Sequence, residues 1–268
     1  MSLLTSIFTQ RFLDAADGKL PEIHGPRKLR PKTIDVLNFP IIEKYFGKAH
    51  WITPGLWFGP IMAWGLYRGW TDVATGPLKT IGLFFTGWFI LSFVEYCLHR
   101  WLFHMAAGDS PWGRVRAFLI HGYHHDFPED EYRLVLPPLF IWPPAALVII
   151  AYWFGTGPHL APPLIAGSAV GYVAYDWVHY YTHHARPTSG VGKWLRRYHM
   201  VHHFKYPEAC YGVSMPTWDL VFGTFKPIGT ISEREQTEQV ISQVWAERPT
   251  RGSTEAMPHD APSPDAQH

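Results

Sequence analysis

The sequence predicts an all-α membrane protein, with four transmembrane helices as two hairpins beneath a cytoplasmic helical cap. Three observations carry that prediction: four long uncharged runs, an uneven spread of basic residues, and histidines gathered at the run ends and loops that this spread assigns to one side. Composition agrees with it. Hydrophobic residues make up 47% of the 268-residue chain and charged ones 17%, below the about 25% charged that is usual in soluble domains. Thirteen Trp and thirteen Tyr supply amphipathic rings suited to a membrane interface. The mean hydropathy of −0.07 averages polar ends with apolar runs and hides both. A net charge of +1 leaves no basic footprint for nucleic acid, which is excluded as a partner. Cys97 and Cys210 are distant in sequence, so no disulfide framework or thiolate zinc site is expected.

Residues 1–50 form an N-terminal interfacial and basic segment. Leu3, Leu4, Ile7, Phe8 and Phe12 recur at helical spacing, giving a short helix that either lies in the membrane interface or docks on the protein itself. The first residues lack a basic stretch before an apolar run, so no cleaved signal peptide is expected. "PRKLRPKT", residues 26–33, places four basic residues in eight positions ahead of the first apolar run, where anionic headgroups are a fitting partner.

The uncharged runs are Trp51–Tyr67, Thr80–Val94, Leu134–Phe154 and Pro158–Tyr175. The third has 21 residues, about 31 Å of helix at 1.5 Å per residue, enough to cross a hydrocarbon core. The second is short, but its helix can continue through Cys97 and Leu98. Prolines at 137, 138, 143 and 144 should kink or delay the third helix. Basic residues are dense before Trp51 and recur at Arg100, Arg114, Arg116 and Arg133 between the second and third runs, whereas Gly155–Gly157 carries none. Both termini and the 99–133 loop therefore face the cytoplasm. The membrane-embedded domain spans 51–228, followed by a short amphipathic segment at 229–245 and a polar, Pro-rich tail at 246–268 that reads as disordered.

Within this frame the histidines stand out. "HGYHHDFPED" (121–130) and "HMVHHF" (199–204) share the spacing H-x-x-H-H, for which chance predicts roughly 0.06 copies at this composition. Four clusters result: "EYCLHRWLFH" (95–104), "HGYHHD" (121–126), "DWVHYYTHH" (176–184) and "RYHMVHH" (197–203). On a helix, positions i, i+3 and i+4 share a narrow face. His121, His124 and His125 satisfy this spacing, as do His199, His202 and His203, and His179 shares a face with His183. His184 points about 140° from His179 and is left out of the ligand set. His99 and His104 are also five apart, so their helix either runs between metals or distorts locally.

Ten imidazoles exceed the four ligands of a tetrahedral zinc site, which makes a dimetal site held by the cap the economical arrangement. Imidazole alone does not select among zinc, copper, iron and nickel. Glu95 and Asp176 lie one helical turn before His99 and His179, where they could accept a second ring N–H; Asp126 and Asp130 are weaker candidates for that role. H-E-x-x-H, G-x-S-x-G and P-loop patterns are all missing, which argues against the corresponding hydrolase and nucleotide chemistries.

The clusters resemble the eight-histidine signature of the fatty acid hydroxylase/sterol desaturase superfamily of membrane di-iron oxygenases. "EYCLHRWLFHM", "HGYHHDFPEDEYRLVLPP", "YDWVHYYTHH" and "RRYHMVHHFKYPEACYGVSMPTWDLVFGTF" look most like fatty acid 2-hydroxylases acting on sphingolipid acyl chains. The resemblance covers roughly residues 80–226. It implies that His99, His104, His121, His124, His125, His179, His183, His199, His202 and His203 are metal ligands. It further implies two iron ions, replaceable by zinc in purified protein, with O2 as cosubstrate for hydroxylation of an unactivated C–H bond. Eukaryotic members often carry a fused haem electron-carrier domain, for which about fifty residues before the first run are too few, so a separate donor such as a ferredoxin or cytochrome is expected. A sterol, carotenoid or other membrane lipid is the alternative substrate, and a membrane metal-binding protein the non-enzymatic one.

Overall fold

The computed structural model describes residues 3–20 and 32–228. Most of the basic stretch at 26–33, the 229–245 segment and the 246–268 tail lie outside the described residues. The chain begins with α1 (Leu3–Ile7) and α2 (Gln10–Ala16), and the Thr9 hydroxyl between them caps α2 by accepting from the Phe12 amide. Leu4, Phe8 and Phe12 are buried against Val115, Phe118 and Tyr123. Of the two expectations for this amphipathic stretch, docking on the protein is the one realised. Next comes α3 (Pro40–Phe46), opened by a proline at the position where a missing N–H costs least. Its Glu43 and the following Gly47 face inward, while Ile41, Ile42, Tyr45 and Phe46 are exposed.

Four long helices build the body: α4 (Thr53–Thr71), α5 (Gly76–Cys97, extended by a π-helical segment at Leu98–Phe103), and, after an intervening segment of short helices, α8 (Pro138–Thr156) and α9 (Ala161–His184). The intervening segment contains α6 (Pro111–Ala117), a π-helical turn (Phe118–Gly122) and α7 (Tyr123–Asp126); α10 (Gly190–Phe204) and α11 (Thr217–Val221) follow α9. Short turns make α4–α5 and α8–α9 two antiparallel hairpins. The turns meet: His159 Nδ1 lies 2.8 Å from Asp72 Oδ2, and the Thr75 hydroxyl donates to the His159 carbonyl at 2.7 Å. The opposite ends of all four helices therefore gather beneath the histidine clusters.

Two of the four, Gly76–Phe103 and Pro138–Thr156, are long and apolar enough to cross a membrane. α9 is less hydropathic for a physical reason: it packs between α4 and α5, and nearly every side chain from Ala161 to Tyr175 is buried. Small residues permit that approach. A Cβ on Gly167 would run into the Phe84 carbonyl, and one on Gly87 into the Leu164 carbonyl. By contrast α8 buries only Ile141 and exposes Leu147, Ile150 and Phe154, while α5 exposes Phe85 and Phe89. Apolar surface of that extent suits a hydrocarbon environment. The prolines of the third run delay the helix to Pro138, with Pro137 as N-cap, and α8 continues through Pro143 and Pro144.

Candidate metal centre

Nine of the ten expected histidines converge into two groups: His99, His104, His121 and His202 in one, and His124, His179, His183, His199 and His203 in the other, the ligand atoms of each lying within 4.8 Å of one another. Each H-x-x-H-H triplet is thus split. His121 turns to the first group while His124 turns to the second; His202 parts from His199 and His203 in the same way. The fivefold spacing of His99 and His104 is resolved by the π-helical segment between them, in which the i→i+5 pattern brings residues five apart onto one side. A second π-helical turn ends at Gly122 and sets the direction of His121.

The ring nitrogens face each other. Nε2–Nε2 separations are 3.1 Å for His99–His121, 3.2 Å for His104–His202, 2.9 Å for His124–His203 and 2.8 Å for His183–His199. His99 Nδ1 lies 2.6 Å from the Tyr211 carbonyl and His202 Nδ1 2.8 Å from the Ala209 carbonyl. A carbonyl only accepts, so each Nδ1 donates and each neutral ring then turns a lone pair inward at Nε2. Burial holds these imidazoles neutral, pulling His104 down to about 4 and His202 to about 3. Inward lone pairs cannot satisfy one another; a cation between them can. Two nitrogens each about 2.1 Å from one ion at a right angle stand about 3.0 Å apart, so the donor set fits bound metal ions.

His125 belongs to neither group. Its ring centroid is 5.1 Å from that of His104 and 4.4 Å from that of His203, and its buried Nε2 has no hydrogen-bond partner among the described residues. It lies between the two groups. His184 is outside both and packs on Tyr180 at 4.6 Å. Among the four acidic candidates, Glu95 Oε1 and Asp176 Oδ2 are buried and have no hydrogen-bond partner among the described residues. Asp130 accepts from the Tyr123 hydroxyl at 2.7 Å and pairs with Arg133 at 3.0 Å, and Asp126 ends α7. For His99 and His202 the second ring nitrogen goes to backbone carbonyls of the 209–211 loop instead.

That loop is the part sequence reasoning missed. Fully buried Asp219 of α11 accepts from the amides of Tyr211 and Gly212 and from the Thr224 hydroxyl, at 2.7–2.8 Å. Cys210 takes a positive φ of 59° between the two carbonyls that meet histidines. The sequence signal was the short polar and glycine-containing stretch after the last triplet, which carries no motif of its own.

Beside the second group opens a cavity of about 340 Å³ that reaches from His124 between α5, α8 and α9. Leu91, Ile141, Val148 and Ile165 line it with apolar side chains, and Glu43, Glu95, Tyr123 and Arg133 are among its polar lining residues. Val148 lies ten residues along α8 from Pro138, about 15 Å of rise, so the lining extends well along that helix.

The fatty acid hydroxylase family model matches residues 84–224, which include all ten histidines. Dihydroceramide fatty acyl 2-hydroxylase FAH1 of Arabidopsis thaliana is 38% identical over 190 residues, covering 69% of this chain and 77% of the relative. The chain belongs to the fatty acid hydroxylase family. This hydroxylase is also 39% identical to mouse fatty acid 2-hydroxylase over 228 residues, 76% of this chain and 59% of the relative. A solved structure described as full-length scs7p, with only its hydroxylase domain visible, superimposes with a TM-score of 0.68 at 29% identity, covering 83% of the hydroxylase and 81% of that chain.

Proposed function

We propose that this hydroxylase is an integral membrane enzyme that places a hydroxyl on carbon 2 of a lipid acyl chain, in a ceramide-like lipid, at the cytoplasmic surface of the bilayer. The observation that carries the reading is the apolar cavity with His124 in its wall. An apolar space of about 340 Å³ that extends along α8 accepts an acyl chain. The names of the relatives, dihydroceramide fatty acyl 2-hydroxylase and fatty acid 2-hydroxylase, support the same substrate class.

The ten histidines are proposed to hold two iron ions, four first-group rings on one side, five second-group rings on the other and His125 between them. Bound there, iron would supply the activation of O2 that an unactivated C–H bond requires, with electrons from a separate ferredoxin or cytochrome. The chain's own contribution is orientation and exclusion. The Tyr211 and Ala209 carbonyls fix the tautomers of His99 and His202, so that Nε2 stays the ligating atom. Apolar walls on α5, α8 and α9 hold the tail and keep water from the reacting carbon.

The test uses the full chain in nanodiscs with a reduced carrier protein and a dihydroceramide. Under 18O2 the product should carry one labelled hydroxyl at carbon 2, located by mass-spectrometric fragmentation. Label drawn from water would reject the oxygenase; label at another carbon would reject the positional assignment.

A further inference from the structure

Arg133 is an unusual residue to find in the wall of an apolar cavity. Its side chain is 6% exposed, and it is the one Lys or Arg lining that space among the described residues. One terminal nitrogen donates to the Thr33 and Tyr123 hydroxyls and to Asp130, at 2.8 to 3.3 Å; the other pairs with Glu43 of α3. The guanidinium plane is thereby clamped between two carboxylates, and its centre lies 5.4 Å from the Tyr123 ring centroid. Its Nε is buried and has no hydrogen-bond partner among the described residues. A buried donor left unmatched in so well-satisfied a cluster is destabilising unless something accepts from it.

Resting on the reading of this chain as an acyl-lipid hydroxylase, we propose that Arg133 is a positioning residue: its free Nε–H donates to an uncharged oxygen of the lipid's polar head. That contact fixes how far the acyl chain enters and therefore which carbon stops beside the metals. Three features of the structure lead there. Arg133, Glu43 and Tyr123 line the same space as the aliphatic Val148, Ile149 and Ile165, so a molecule bound there meets a charged donor as well as apolar walls. His124 lies in the wall of the same space, so one bound molecule can touch both. The local charge also selects the kind of oxygen. Glu43, Asp130 and Asp35 outnumber Arg133 and Lys48 there, with Lys48 3.0 Å from Asp35 and 3.9 Å from Glu43. A carboxylate head would meet excess negative charge, whereas an amide carbonyl or a hydroxyl needs only the one N–H on offer.

The experiment compares wild type, Arg133→Lys and Glu43→Gln as full chains in nanodiscs, measuring bound metal, KM, kcat and the position of the new hydroxyl. Arg133→Lys keeps the charge but loses the planar fork and Nε. It should retain wild-type metal content, raise KM about tenfold, the worth of one hydrogen bond, and scatter hydroxylation from carbon 2 to carbon 3. Glu43→Gln, by unclamping the guanidinium, should shift the position in the same direction. A variant with full metal content, unchanged KM and hydroxylation confined to carbon 2 would overturn the proposal, as would metal loss in step with activity, which marks a structural role. Should neither variant fold, wild type decides: an N-alkyl fatty amide and a dihydroceramide should outcompete the free fatty acid of equal chain length, and equal KM values for all three would overturn it. Wild type inactive on every acyl lipid would instead reject the underlying function.

Discussion

His202 and its neighbour His203 point into different groups, and so do His121 and His124. Single substitutions should therefore act on one metal at a time. His202→Ala is expected to lower bound metal from two ions toward one while leaving the group around His199 loaded; His124→Ala should do the converse, and either should abolish turnover. Metal analysis of the purified variants checks this, and two ions retained in both would refute the grouping. His184→Ala, whose ring rests on Tyr180, should leave metal content at the wild-type level. Acid provides a second check. His104 and His202 are held near 4 and 3 by burial, so the unfolded chain binds more protons than the folded one once pH drops below about 6.5. Metal-free protein should lose stability progressively from about pH 6.5 toward pH 4, measured as a falling melting temperature, and the metal-loaded form should resist further into acid.

At the scale of elements, the close seam between α5 and α9 makes a quantitative prediction. Gly167→Ala pushes a methyl group into the Phe84 carbonyl and should destabilise the bundle by about 1–3 kcal/mol through overpacking. Gly82→Ala, on the same helix as Phe84 but with open space around it, should be neutral or gain about 1 kcal/mol from helix propensity. Thermal unfolding in detergent separates the two, and equal effects would contradict the packing described for the seam. The elements also show how far the sequence could be read. The four long helices were legible because uncharged runs and prolines mark their extent, and the histidine faces because α-helical spacing is regular. Whether His99 and His104 converge was not legible, since the answer is a π-helical segment whose extra residue leaves no compositional trace. The Ala209 and Tyr211 carbonyls were hidden for a related reason: a backbone group has no residue type, and only the folded loop reveals which carbonyl meets which ring. The acidic candidates Glu95 and Asp176 were chosen because side chains are what a sequence displays.

For the molecule as a whole, the contact between His159 and Asp72 joins the two hairpin turns on the face away from the histidines. Reporters fused at Asp72 and at Gly157 should both read outside, and reporters inserted at Arg114–Arg116 or fused after Lys226 should read cytoplasmic. A cytoplasmic signal at Gly157 would break the two-hairpin arrangement. One feature of α3 bears on how such an enzyme is supplied. Its inner side, Glu43 and Gly47, borders the cavity, while Ile41, Tyr45 and Phe46 on its outer side are bare, as in a helix half-sunk in headgroups. On the proposed membrane placement, a lipid arriving past α3 comes sideways out of the leaflet and never crosses water. The concentration that governs saturation is then a surface density, the mole fraction of substrate in the bilayer. Diluting the substrate with inert phospholipid at constant bulk amount should slow the reaction, and adding more vesicles of the same composition should not.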